Sequence, residues 1–354
     1  MKFGPVSLAQ AEGAILAHSV ALPAGRLRKG RALTRADLDA LAQAGLDMVT
    51  VAQLEPDDSH EDAAALALAQ ALVPAPEAAG LSLRPVGTGR VNIVATGPGL
   101  VQVGAAQIHA ANAVAPTITV ATLPDLQRVE AGAMVATVKI IAYGVASRAI
   151  ADACAQAHAA LHLRAPVLRH ASLIQTRVSP TDTGAKGHAV TEARLARLGV
   201  SLAPPCMVDH ALAPLIGALR AARAELILIL TGSATSDLHD TAPEALRRSG
   251  GQVLHFGMPV DPGNLLFLGA LEGRPVVGLP GCAKSPALNG ADWVLERLIC
   301  GLDVTPPDIM SWGVGGLLSE IDSRPRPRRM GETAQGPAEK GTGTRINTRS
   351  GGTG

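Results

Sequence analysis

Two loops carry the residues best suited to chemistry. Thr231-Gly232-Ser233-Ala234-Thr235-Ser236-Asp237-Leu238-His239-Asp240 follows directly on the apolar run Leu226-Ile227-Leu228-Ile229-Leu230. The hydroxyls of Thr231, Ser233, Thr235 and Ser236 can donate to an oxyanion, and Gly232 lets backbone come close to one. Asp237 and Asp240 would repel a phosphate unless a Mg²⁺ ion lay between them, which makes this pair the candidate metal ligands and candidate catalytic carboxylates. The plainer alternative is a strand–loop–helix connection whose aspartates cap. Thr241 can also cap the next helix, with Pro243 and Glu244 in its first turn and Gly250 at its end.

The second loop is Leu279-Pro280-Gly281-Cys282-Ala283-Lys284-Ser285-Pro286. Pro280 and Gly281 shape its entry, and Lys284 and Ser285 are expected at the start of a helix running to about Ile299. There cation, hydroxyl and helix dipole could act on one anion; Lys284 as a solvated surface residue is an equal alternative. Cys282 could be reactive at such a positive site, or simply a small packed residue. A third stretch, 175–186, offers hydroxyls with Arg177 and Lys186, at a spacing that is not distinctive. Asp209 and His210 could line the same site or cap the helix that begins there.

These loops need a scaffold, and the surrounding pattern supplies one. From about 165 onward, apolar runs at 172–174, 226–230 and 276–279 alternate with amphipathic stretches near 188–198, 210–222, 241–249 and 286–300. Strands apolar on both faces and separated by helices imply α/β structure: a doubly wound, mostly parallel sheet. Ligands of such sheets gather at the carboxyl ends of the strands. Runs at 252–256 and 265–268 add strands, readable as an antiparallel edge pair. Smaller units precede this. Residues 1–78 read as an α+β unit, in which Thr34 and Asp37 start a helix. Residues 79–164 read as a strand-rich middle domain, with strands near 91–94, 117–122 and 135–141. A helix near 105–113 is expected, and another that Ser147 caps and that runs to about Ala160. The principal domain spans 165–303, and 304–354 is an extension expected to be disordered beyond about 324, where Arg324-Pro325-Arg326-Pro327-Arg328-Arg329 begins a segment too polar to bury a core.

Composition removes several function classes. Hydrophobic residues make up 47% of the 354, but aromatics only 2%, so the cores must be built from Ala, Val, Leu and Ile. A net charge of +1 gives no broad field to draw the chain to nucleic acid or an anionic membrane. No apolar run reaches the roughly 20 residues of a membrane span, and the four scattered cysteines form no Cys-x-x-Cys pair. A cytoplasmic protein is expected. His158 and His162 stand four apart on an expected helix with no Glu between them, so no metalloprotease motif results. Nucleotide-binding glycine loops and a Gly-x-Ser-x-Gly elbow are missing from the sequence, and it presents no self-sufficient catalytic constellation.

Three segments together are more telling than any one of them. Thr231–Asp240, Gly257-Met258-Pro259-Val260-Asp261-Pro262-Gly263-Asn264 and Leu279-Pro280-Gly281 resemble, in order and interval, the molybdopterin-binding domain of the molybdopterin molybdotransferase family. The likeness is greater to molybdopterin-binding proteins found alone or fused to a cofactor nucleotidyltransferase. It then extends to 121–122, 136–141 and 313–318. The resemblance implies binding of molybdopterin, or of its nucleotide-linked form, by Gly232, Ser233, Thr235 and Asp240 in the first loop and Pro280 and Gly281 in the second. It also implies a homodimer, and a nucleotidyltransferase or molybdoenzyme as partner. Asn264 stands where the family has a turn lysine, and Cys282-Ala283 where it has Asn-Pro. The expected function is therefore handling or supply of molybdopterin. Two competing readings are molybdate insertion with Mg²⁺, and hydrolysis of a nucleotide or phosphorylated metabolite on the same fold. With so few aromatics, pterin recognition is expected to rest on hydrogen bonds.

Overall fold

Five unbroken apolar residues at Leu226–Leu230 can be satisfied only by cover on both faces, and this strand is the centre of a seven-stranded sheet. The computed structural model describes residues 1–318 except 24 and 262. His170–Arg177 lies parallel to Leu226–Leu230 on one side, and Arg274–Leu279 lies parallel to it on the other. Ser201–Leu202 and Cys206–Asp209 run parallel along the outer edge of His170–Arg177. Asn264–Leu271 and Gln252–Met258 then extend the sheet antiparallel, as the expected edge pair. The chain is thus mixed α/β.

Alternation along Leu226–Leu230 separates two cores. Leu226, Leu228 and Leu230 pack with Leu195, Val294, Leu295 and Ile299, so the helices Ala185–Ala196 and Gly290–Ile299 cover that face. Ile227 and Ile229 pack with Leu215, Leu219, Ala245 and Leu246 from the helices Leu212–Ala221 and Thr241–Arg248 on the other. Each such side chain, fully removed from water, contributes about 1.5–3 kcal/mol before chain entropy is counted.

The preceding residues build smaller sheets. Met48–Gln53 sits between Lys2–Ser7 and Ile15–Leu16, and the Thr34–Asp37 capping box starts the helix Arg35–Gln43. A four-stranded sheet comprises Ile118–Thr122, Met134–Ile140, Arg90–Ala95 and Leu81–Gly87 in that order, and a three-stranded one comprises Gln127–Val129, Gly99–Val103 and Leu161–Arg164. Helices Glu61–Leu72, Ala105–Val114 and Ser147–Ala157 share one core with them. The last helix is shorter than expected. Ala159 takes a left-handed φ of 55° and the chain turns into the strand Leu161–Arg164, so His158 and His162 do not share a helix. Ser147 is the first residue of that helix and not its cap; its hydroxyl pairs with that of Ser59 at 2.8 Å. Among the described residues no helix is long and apolar enough to cross a membrane. The expected disorder beyond 324 lies outside the described residues.

One ion pair ties the middle region to the last long helix: Arg128 Nε lies 3.0 Å from Glu296 Oε1. Burial, with Asp292 nearby, pushes the Glu296 carboxyl up to about 7 against the pull of Arg128. The folded state therefore holds this proton more tightly than the unfolded chain does. The resulting stabilisation is complete below the ordinary carboxylate range and fades as pH rises toward 7. Glu296→Gln, which cannot ionise, should gain stability relative to the unmodified chain between roughly pH 5 and pH 8, by on the order of 1–3 kcal/mol. Urea midpoints at the two pH values check this, and a pH-independent difference would assign the titration elsewhere.

Candidate functional site

The strand ends of His170–Arg177, Leu226–Leu230 and Arg274–Leu279 are in register, with Gln175 opposite Leu230 and Leu230 opposite Leu279. All three loops singled out by sequence therefore leave the sheet side by side. What they form there differs from expectation in several places.

A cavity of about 230 Å³ opens over these ends. Its lining includes Gln175 and Thr176 from the first strand, the segment 182–187, Leu230 and Lys284. The helix Ala185–Ala196 begins at this cavity with Gly184 as its cap residue, and no side chain caps it. Its first intrahelical bond runs from His188 N to Gly184 O, so the amides of Ala185, Lys186 and Gly187 precede the helix ladder. Gly184 takes φ +66°, and a Cβ there would press on the Gln175 amide and the Met207 methyl. Asp182 Oδ1 fixes the turn by accepting from Gly184 N at 3.0 Å. Gln175 is only 3% exposed, and its side-chain amide has no hydrogen-bond partner among the described residues. A buried amide left open beside free helix amides is a site for a polar ligand. Lys186 and Lys284 face the same cavity and form no ion pair among the described residues.

Lys284 reaches this place by a different route from the one expected. Gly281–Lys284 is a short 3-10 turn entered from Pro280, and the α-helix starts only at Gly290. Pro286 interrupts the chain, and the Asn289–Asp292 capping box sets the helix start beyond it. Lys284 and Ser285 are thus not at that helix's N-terminus. A buried arginine positions them. Arg194 Nε donates to Asp292 Oδ1 at 2.7 Å, and its two terminal nitrogens donate to the carbonyls of Ala283, Ser285 and Ala287. Both side chains of this ion pair are 6% exposed. Asn264, where the family turn lysine would stand, is buried and donates to Asn289 Oδ1 at 3.3 Å. Asn289 Nδ2 in turn donates to the exposed Cys282 Sγ at 2.9 Å.

The 231–240 loop adjoins the cavity, and none of its residues is in the lining. Gly232 N donates to Thr176 Oγ1 at 2.9 Å, and a Cβ on Gly232 would lie 2.6 Å from Thr176 O. The close approach that requires this glycine is to the neighbouring strand end, not to a ligand. Thr231 and Thr235 are buried with their hydroxyls 3.4 Å apart, while Ser233 and Ser236 are exposed. Asp240, not Thr241, is the helix cap. Its two oxygens accept from Thr241 N at 2.6 Å and from Ser236 N at 2.9 Å. Burial would raise the Asp240 carboxyl, but those two amides and His210 outweigh it and hold it below its ordinary value. Asp237 Oδ1 accepts from His239 N at 2.7 Å. Asp209 and His210 do not cap either: Asp209 pairs with Arg177 at 2.9 Å, and His210 Nδ1 lies 2.8 Å from Thr176 Oγ1. Among the described residues no group of three or more His, Cys, Asp or Glu side chains is placed to hold a metal.

Residues 5–53 match a family described as a domain of unknown function, DUF8806. No functionally curated protein matches the chain. Among solved structures it is similar to a molybdopterin biosynthesis moea protein from Pyrococcus horikosii, at 13% identity and a TM-score of 0.30, over 85% of this chain and 75% of that one. It is similar to a molybdenum cofactor biosynthesis protein B at 16% identity and a TM-score of 0.29, over 39% and 92%. A CinA protein of unknown function from Thermoplasma acidophilum gives 16%, 0.25, and 34% and 91%. At these values the likenesses decide neither the fold nor the function.

Removing the Arg194 fork strands Asp292 and three carbonyls in the interior. Arg194→Met should cost about 3–5 kcal/mol in a chemical denaturation series, and Arg194→Lys less, since it keeps the charge but loses the fork. Gly232→Ala should cost roughly 1–3 kcal/mol through the collision with Thr176 O. Loss of under half a kcal/mol in both series would mean that these loops tolerate displacement.

Proposed function

We propose that the chain binds a molybdopterin-type ligand at these strand ends and serves molybdenum cofactor biosynthesis as a handling or supply protein. In this reading residues 165–303 form a doubly wound ligand-binding domain, with 1–78 and 79–164 as separate units before it. The observation that carries it is the meeting of Lys186, Lys284, three uncommitted helix amides and the open Gln175 amide around one cavity. Two cations and a helix N-terminus suit a phosphate, and a carboxamide beside them suits the donor and acceptor edge of a pterin. The pterin itself is suggested by the three segments that resemble the molybdopterin-binding family. Thr231, Gly232, Ser233, Thr235, Ser236, Pro280, Gly281 and Ser285 then act as the frame of the site and Lys284 as a direct contact. Homodimer formation and delivery to a nucleotidyltransferase or molybdoenzyme belong to the same proposal.

Molybdate insertion with Mg²⁺ held by Asp237 and Asp240 has less support. Both Asp240 oxygens and one Asp237 oxygen already accept backbone amides within their own loop, an arrangement that does not fit a pair of magnesium ligands.

Binding is tested by titrating purified protein with molybdopterin and, separately, with inorganic phosphate and a plain nucleotide. Lys284→Gln and Lys186→Gln should each weaken molybdopterin binding about tenfold or more, the loss expected for one charge-assisted contact. Unchanged affinity in both variants, or equal affinity for the plain nucleotide, would defeat the assignment. Bound ligand recovered unconverted after incubation with molybdate and Mg²⁺ supports handling over insertion.

A further inference from the structure

A larger cavity, of about 680 Å³, lies where residues 124–128 face the helix Gly290–Ile299 and the segment 311–315. It shares no lining residue with the strand-end site. The chain has only two tryptophans, and both line this cavity. Trp293 and Trp312 meet edge to face, with centroids 5.9 Å apart and planes at 89°. Arg297 lies four residues after Trp293 on the same helix, so the two share a face. Its guanidinium carbon sits 4.7 Å from the Trp312 ring centroid, and one nitrogen donates to Trp293 O at 3.1 Å.

Asp125, Glu296 and Asp308 all lie close enough to Arg297 to favour its charge, but none of them takes up its N–H donors. Glu296 is held by Arg128, and Asp125 accepts from Val103 N at 2.8 Å. Arg297, half-buried against the rings, forms no ion pair among the described residues. A guanidinium stacked by its face on indole still presents N–H donors at its edge, the geometry that matches a carboxylate or phosphate. In a chain so poor in aromatics, both indoles border one cavity beside that donor.

We propose that this cavity is a second ligand site, taking a flat aromatic anion whose ring lies on the Trp293–Trp312 pair and whose acidic group meets Arg297. Flat rings gain from the indole surface through dispersion and quadrupole complementarity, which a puckered ring of equal size does not match. The volume suits a ring system of nucleobase size with substituents. This site does not depend on the strand-end assignment.

The test uses the whole protein and calorimetric titration with benzoate, cyclohexanecarboxylate and benzamide, followed by AMP. Benzoate should bind at least fivefold tighter than the puckered anion and the flat neutral amide. Quenching of the intrinsic tryptophan emission should follow the same isotherm, because both emitters line this cavity. AMP binding with the same quenching identifies the natural ligand as nucleotide-like, and benzoate binding without AMP binding identifies it as an aromatic acid. Trp312→Ala should weaken benzoate at least fivefold and Arg297→Gln about tenfold, with circular dichroism confirming the fold. Arg297→Lys keeps the charge and should recover only part of the loss. Equal binding of the three small probes, or binding without tryptophan quenching, overturns the proposal on the native protein, without recourse to any variant.

Discussion

A single buried guanidinium organises the strand-end region. Arg194 comes from the last turn of the helix Ala185–Ala196 and directs its fork to the Asp292 carboxylate of the Asn289–Asp292 capping box and to three carbonyls of the turn between sheet and helix. A turn of that kind, interrupted by Pro286, leaves its carbonyls without ladder partners. Only a planar, permanently charged group with several donors could satisfy so many acceptors from one point. The same contact that settles the turn also aims Lys284 over the cavity, so stability and site geometry have one source.

The sheet supplies the second constraint. Because Leu226–Leu230 is apolar on both sides, it can lie only between two helix layers, and its neighbours must end at the same level for their loops to meet. Parallel pairing delivers that alignment. The antiparallel strands Gln252–Met258 and Asn264–Leu271 contribute differently: through Asn264 they hand a hydrogen bond to Asn289, which caps the helix after the Arg194-bound turn.

The sheet and its helices were legible because long apolar runs and amphipathic spacing are dictated by burial. The four helices between residues 185 and 299 fall within a few residues of their expected places, and the edge pair is antiparallel as its position suggested. Caps were less legible. Asp240 precedes a Thr that looks like a better cap, and Asn289 lies behind a proline that disguises where the helix begins. The site itself was only half visible. The 231–240 loop stood out by its hydroxyls, yet those residues serve the seam with Thr176 and the helix cap. The cavity instead draws on Gln175, Gly184 and Lys186, whose spacing matches no motif and whose meaning appears only once helix and strand are packed. Arg194 gave no sign at all, because a charged residue on an amphipathic helix reads as solvated until its partners, about ninety positions away, are brought to it. The two tryptophans carry no signal in the sequence beyond the general scarcity of aromatics.

The contact between Gly232 and the end of the first strand has a further bearing on how this protein can vary. Two loops fastened by an amide–hydroxyl bond and by backbone touching backbone behave as one panel. Lengthening either of them would have to happen outward, beyond Val178 or after Ser233, leaving the fastened stretch intact. Diversity among descendants of such a chain should therefore accumulate at the loop tips, while the hinge side keeps its glycine and its threonine together or loses both in the same step.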